Sequence, residues 1–385
     1  MSAASSGASG CIAAPVAALA AELAAITTRP WTLMEVCGGQ THAIVRWGLD
    51  QLLPPGVRLI HGPGCPVCVT PAATIDAALQ LARLPEVILC SYGDMLRVPG
   101  SAGGDDLLGV RAAGGDVRLL TSPLQAIDLA LAHSDRQVVF LAVGFETTAP
   151  ATALLVRQSL ALGLTNLSVL VAHVRVAPAM AAILADPACH VQGFLAAGHV
   201  GAVMGLAELE ALAGRFRVPV VVSGFEPLEL MAGLLACIRQ LEEGRAAVEN
   251  AYGQVVRPWG NPAARQLIEQ VFAIVDQPWR GLGVLPASGL ALRENCSRLD
   301  ARVRFGLLPG AEVADGDPDA AGADCASPCI SGRILRGQAQ PPDCPAFGGR
   351  CTPLHPLGAP MVSSEGACAA YHRYRLRSAG AAAPE

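Results

Sequence analysis

The sequence predicts an α/β protein: two parallel-sheet α/β domains followed by a C-terminal region of a different kind. Three observations lead there. Short Val/Ile/Leu runs without polar alternation recur along the chain, and such runs suit strands buried on both faces of a parallel sheet. Each run ends in a polar or glycine-rich motif, and a helix-like stretch follows. After Gln240 the alternation stops, prolines and glycines become frequent, and five cysteines lie between Cys325 and Cys368.

The elements follow in order. Residues 1–30 form an N-terminal helical segment, with an alanine-rich helix over Leu19–Ile26. The first domain, 31–135, takes the runs Leu33–Val36, Val57–Ile60, Val87–Cys90 and Val117–Leu120 as strands. The second, 136–240, takes Val138–Val143, Leu167–Val171, Gly193–Ala197 and Val218–Val222. Pro71–Leu84, Pro123–Ala132 and Pro150–Leu162 fit connecting helices. Proline suits the first helical position, and Thr70 and Ser122 precede it as start signals. The domain boundary is expected near Ser134–Gln137. Gly144-Phe145-Glu146 is echoed by Gly224-Phe225-Glu226 after a second valine-rich run. Residues 241–385 form the third region, with an acidic, loop-like stretch at Gly310–Asp324. It is too loop-rich for apolar packing alone, so a metal cluster is a natural staple.

Composition removes several function classes. All 27 basic residues are arginines, so a Walker A loop and a Schiff-base lysine are excluded. A net charge of −5 and the lack of a basic stripe argue against a nucleic-acid partner. The 52% hydrophobic and 15% charged fractions exclude a disordered chain. Met1–Ala21 is uncharged but lacks a basic n-region and contains Pro15, so it makes a poor signal peptide. Cys11 lacks the preceding apolar region that a lipoprotein site needs. Pro187–Ala207 is uncharged, but its two histidines and several glycines suit a strand and turn better than a membrane span. The expected location is the cytoplasm. There, 13 cysteines point to metal or redox chemistry before structural disulfides.

In open parallel sheets, sites gather beyond the carboxyl ends of strands. Several expected strands run into reactive groups: Cys37 to His42, His61 to Cys68, Glu146-Thr147-Thr148, His173, His199 and Glu226. They suggest one cleft facing both sheets. The Cys65–Cys68 pair can chelate a metal or form a small-ring disulfide. It precedes a helix expected from Pro71, whose free N–H groups would favour thiolate. Cys37 lies between a strand and two glycines that let the backbone approach a ligand. Its thiolate is a soft ligand suited to low-valent iron or copper. His42 could orient or protonate whatever Cys37 binds. Cys90, Cys189, Cys237 and Cys296 read as ordinary buried cysteines. Cys329, Cys344, Cys351 and Cys368 are spaced C-x14-C-x6-C-x16-C. Four thiolates amid prolines suit a [4Fe–4S] cube or a zinc ion, and spacing alone does not separate the two. Cys325 is a possible substitute ligand.

Together, MEVCGGQTH (Met34–His42), GPGCPVC (Gly62–Cys68), GFETT (Gly144–Thr148), AAGH (Ala196–His199) and MVSSEGAC (Met361–Cys368) closely resemble the HypD family of hydrogenase maturation proteins. The resemblance runs from about Trp31 to about Tyr374. It implies two α/β domains with a C-terminal iron–sulfur cluster domain. It implies a role in assembling the NiFe-hydrogenase active site: with a HypC-type partner, a scaffold on which iron acquires two cyanides and one carbon monoxide, giving a transient Fe(CN)2CO unit. A HypE-type carrier would deliver cyanide, and the hydrogenase large subunit would be an indirect partner. Carried over by motif, Cys37 would hold the iron transiently, Cys65 and Cys68 would form the redox pair, and Cys329, Cys344, Cys351 and Cys368 would bind a [4Fe–4S] cluster. Thr41, His42 and Glu365 fall within family motifs. Two departures are visible: relatives often read C-x-C-G at Cys329-Ile330-Ser331-Gly332, and often have cysteine in place of Pro360. Both positions lie outside the four-ligand spacing. Two other classes remain: an iron–sulfur-dependent protein disulfide oxidoreductase, which has no use for Cys37, and a zinc-stapled binding protein.

Overall fold

The computed structural model describes residues 6–101, 104–307 and 328–375. In chain order its strands are β1 (Trp31–Glu35), β2 (Val57–His61), β3 (Val87–Ser91), β4 (Asp116–Leu119), β5 (Gln137–Gly144) and β6 (Leu167–Val174). β7 (Gly193–Ala197), β8 (Val220–Ser223), β9 (Val248–Asn250), β10 (Phe272–Trp279) and β11 (Gly283–Leu292) follow. They form two sheets, ordered β2-β1-β7-β8-β9 and β10-β11-β6-β5-β3-β4. The first is parallel throughout. The second is parallel from β4 to β6 and ends in the antiparallel pair β11–β10.

All eight expected strands are present; most are buried on both faces, as every residue of β6 is, while β4 at the edge of its sheet is half-exposed. The helices Ala72–Ala82, Gln125–Ala132 and Ala149–Ala161 connect them where expected. The α/β class stands, but the sheets do not follow the sequential halves. The first draws on 31–61 and 193–250, the second on 87–174 and 272–292. The boundary expected at Ser134–Gln137 lies inside the second sheet, between β4 and β5. Nor do residues 241–385 stand apart: β9 joins the first sheet and the β10–β11 hairpin the second. Gly310–Asp324 and Cys325 lie outside the described residues.

Both sheets share one winding. A strand and its successor occupy one side, and the chain later returns to pair with the first strand's other edge. The order therefore reverses between β1 and β7, and again between β3 and β5. Such reversals open a crevice at the strands' carboxyl ends. The N-terminal helix α1 (Ser6–Ile26) is longer than expected and contains Pro15. Val16, Leu19 and Leu23 pack it against the helix Pro227–Glu242. No helix among the described residues is long and apolar enough to cross a membrane.

Candidate functional site

Cys37 follows β1 and His199 follows β7, so the two stand on either side of the first sheet's reversal point. The Cys37 Sγ lies 4.0 Å from His199 Nδ1. The His199 ring stacks on Phe225, with centroids 5.1 Å apart and planes 12° apart. Cys37 caps helix α2 (Gly38–Trp47) in extended backbone geometry. Gln40, in the first turn, donates through Nε2 to the carbonyls of Ala196, Ser223 and Gly224 at 3.2–3.3 Å. It thereby ties α2 to the ends of β7 and β8. Burial pushes the Cys37 thiol pKa far up; the Gln40 backbone N–H opposes this, while Glu35 and Glu365 add to it. The thiol is therefore protonated at neutral pH and must release its proton to bind a metal.

The loop after β2 interlocks with the Cys37 loop. Gly62 N–H donates to the Glu35 carbonyl at 2.8 Å, and Gly38 N–H to the Gly64 carbonyl at 2.9 Å. Cys65 and Cys68 are joined as a disulfide. Cys65 caps a four-residue helix, α3 (Pro66–Val69), and Cys68 lies within it; this helix is separate from the one expected from Pro71. Both cysteines are buried, and α3 touches β5 and the segment Ala359–Met361.

The C-terminal segment covers both strand ends. Ser363 Oγ donates to Asp94, just after β3, at 2.7 Å. Arg97 donates to the Val362 carbonyl at 2.6 Å. Glu365 lies against Gly38, where a Cβ would meet the Glu365 carbonyl oxygen at 2.7 Å. Although the residue is exposed, burial of its carboxyl group, with Asp94 beside it, raises its pKa. Thr41 donates to the Glu35 carboxylate and to the Cys37 carbonyl. His42 is turned to the C-terminal segment: Nδ1 bonds the Ser364 carbonyl at 3.0 Å and Nε2 the Tyr374 hydroxyl at 3.1 Å. Both ring nitrogens are thus engaged in docking that segment.

Cys344, Cys351 and Cys368 belong to one small apolar core with Ile334, Ala346 and Met361. Cys329 and Cys368 have thiol pKa values raised first by burial and then by the charges of the other cysteines in the set. Four mutually repelling thiolates need a cation among them, and this soft donor set suits iron or zinc. Among the described residues, no three Cys, His, Asp or Glu side chains already converge in a metal-holding arrangement.

The remaining strand-end residues sit elsewhere. His173 Nδ1 donates to the Gly144 carbonyl at 3.2 Å and Nε2 accepts from Thr152 at 2.9 Å. Glu226 caps the helix Pro227–Glu242 in a capping box. Glu146 accepts from the Val176 N–H at 3.0 Å. Cys90, Cys237 and Cys296 are buried and Cys189 half-buried. Sequence reasoning gave no role to Glu35, Gln40, His61 or Tyr371. A lone carboxylate inside an apolar strand run was the available signal for Glu35.

Burial pushes the Glu146 carboxyl from its ordinary 4.5 up to about 7. A raised carboxyl pKa favours the fold fully below 4.5, and that contribution is lost as pH rises through about 7. Glu146→Gln keeps the shape and removes the ionisation. Its stability relative to the natural chain should therefore rise between pH 5 and 8, on the order of a few kcal/mol. Urea unfolding at both pH values reads this; a pH-independent difference would show Glu146 to ionise freely.

Comparison with known proteins follows the same pattern. The HypD family profile, described as "Hydrogenase formation hypA family", matches residues 14–375. Hydrogenase maturation factor HypD of Azotobacter vinelandii is 48% identical over 364 residues, covering 92% of this chain and 93% of the relative. HypD of Escherichia coli (strain K12) is 44% identical over 363 residues, covering 94% of each. Hydrogenase expression/formation protein HupD of Azotobacter chroococcum is 48% identical over 364 residues. Matches of this identity along nearly the full length leave one assignment: the chain belongs to the HypD family of hydrogenase maturation factors.

Proposed function

We propose that this chain is the cytoplasmic scaffold on which Fe(CN)2CO is built for a NiFe-hydrogenase large subunit, in complex with a HypC-type partner and supplied with cyanide by a HypE-type carrier. The observation that carries this reading is the Cys37 thiol, set beside His199 at the reversal point of the first sheet. Cys37 supplies the soft thiolate that suits iron with strong-field ligands. Thr41 and Glu365 border the Cys37 loop and shape the space around the cargo. His42 holds the C-terminal segment over that loop.

Cys329, Cys344, Cys351 and Cys368 would hold a [4Fe–4S] cluster, which when bound supplies electrons one at a time. The Cys65–Cys68 disulfide takes up two electrons and two protons to become two thiols. As those thiols return to the disulfide they give up two electrons and two protons, which cleave the S–CN bond of the carrier's thiocyanate to a carrier thiol and cyanide, and the cyanide passes to the iron at Cys37. The interlocked loops Glu35–Gly38 and Gly62–Cys65 support this, because they keep the redox pair adjoining the iron-holding residue.

Infrared spectroscopy of the chain, purified without oxygen together with its HypC-type partner, tests the reading. Cyanide and carbonyl stretches are expected. A complex that carries iron but shows neither stretch would overturn it. Visible absorption of the same sample checks the cluster: a broad band indicates iron–sulfur, and a colourless, zinc-loaded sample rules it out.

A further inference from the structure

A buried line of hydrogen bonds runs from the Cys37 loop to the helix that carries Cys368. It begins at Glu35, which has no solvent exposure. The Glu35 Oε2 accepts the Cys37 backbone N–H at 2.8 Å. Its Oε1 accepts from Thr41 and from His61 Nδ1, the latter at 2.7 Å. Glu35 and His61 are register partners on the last rung of the β1–β2 ladder. The His61 Nε2 stands 3.2 Å from the Tyr371 hydroxyl, and the two rings meet edge to face. His61 and Tyr371 are both buried. Tyr371 lies on the helix Ala367–Tyr374, about one turn beyond Cys368.

The direction of each bond follows from the donors. A carboxylate only accepts, so His61 donates from Nδ1; with the ring neutral, Nε2 then accepts and the tyrosine hydroxyl donates. A buried carboxylate is costly unless its oxygens are satisfied. Leu33 and Met34 fill the same strand without that cost. Apart from His61, the groups that satisfy Glu35 belong to Cys37 and to Thr41, one turn into α2. The carboxylate is therefore spent on fixing that loop.

We propose that Tyr371, His61 and Glu35 form a positioning chain that sets the Cys37 loop from the helix carrying Cys368. The inference rests on Cys37 as the iron-holding residue. None of the three touches the cargo; they act through the Cys37 backbone and Thr41. A change at Cys368 that shifts its helix moves the Tyr371 hydroxyl, and with it the orientation of the thiol.

The test uses the full chain with its HypC-type partner. Tyr371→Phe removes one hydroxyl and keeps the ring. Glu35→Gln keeps the shape but turns an amide toward groups that need acceptors. The readouts are Cys37 alkylation by iodoacetamide, measured by mass spectrometry, and iron bound per chain beyond the cluster. Both variants should alkylate Cys37 about threefold to tenfold faster and hold less iron, as the loss of one buried hydrogen bond implies. Cys189 is the internal control, since it is half-buried and outside the chain. Its rate should not move. An unchanged Cys37 rate in Tyr371→Phe overturns the proposal, as does an equal rise at Cys189, which means general loosening. If Glu35→Gln fails to fold, Tyr371→Phe decides alone. A natural chain that holds no extra iron sinks the scaffold reading instead, and the alkylation comparison still decides the positioning chain.

Discussion

Cys37→Ala is expected to abolish the cyanide and carbonyl stretches of the partner complex while leaving the visible band of the cluster in place. Cys37 is buried at 2% exposure, so a loss of fold is the rival explanation for any loss of cargo. Magnitudes separate the two. Removing one buried sulfur costs about 1 kcal/mol in lost packing, against a domain stability of roughly 5–15 kcal/mol. The Cys37 sulfur makes only weak contacts, a 4.0 Å approach to His199 and the backbone N–H groups of Gln40 and Gly39 at the start of α2, so little is lost with it. On the proposed reading, by contrast, the iron would lose its one thiolate from this chain, and no other cysteine follows a strand of the first sheet so closely. Urea unfolding should therefore change little while the stretches vanish. Survival of the stretches would show that the iron is held elsewhere. Survival of hydrogenase maturation as a whole would favour the disulfide oxidoreductase, which needs only Cys65, Cys68 and a cluster.

What the sequence revealed divides along physical lines. Strands buried on both faces advertise themselves as unbroken apolar runs, so β1 to β8 were legible within a few residues. Their allocation to sheets was not, because Val57–His61 and Asp116–Leu119 look alike locally and only long-range pairing sorts them. The β10–β11 hairpin was missed for a different reason. It lies at a sheet edge, alternates between buried and exposed residues, and carries Pro278, Pro286 and several glycines. The N-terminal helix was expected only over Leu19–Ile26, yet it runs through Pro15, where packing on Pro227–Glu242 outweighs one lost backbone bond. In the site, Cys37 and His199 were legible because a strand end is a local feature. Tyr371 was not, and His42 was singled out without its docking partners, since the residues these two meet lie more than 300 residues away along the chain.

Gly64→Ala is expected to be the most damaging single-carbon change in the site. A Cβ built on Gly64 falls inside van der Waals contact of Cys37 N, Cys37 Cα and the Val36 carbonyl carbon. All three are backbone atoms, so no rotamer change can relieve the overlap. The two loops would have to part, and parting breaks the bonds from Gly38 N–H to Gly64 and from Gly62 N–H to Glu35. Overpacking costs about 1–3 kcal/mol, and two buried hydrogen bonds add about 1 kcal/mol each. A loss of roughly 3–5 kcal/mol takes a large share of the available stability. It also displaces the disulfide loop from Cys37, so the proposed electron and proton steps should fail even in molecules that remain folded. Gly214 provides the contrast. It is exposed in the helix Ala207–Phe216, and a Cβ there meets nothing within 4 Å. Gly214→Ala should stabilise the chain by about 0.5–1 kcal/mol through helix propensity alone. The pair is read by urea midpoints and by cargo infrared intensity in the same preparations. A Gly64→Ala protein that unfolds at the natural midpoint would mean that the two loops can separate freely. The disulfide would then not be held against Cys37, and on the proposed reading its electrons would have to reach the cargo by movement of the loop.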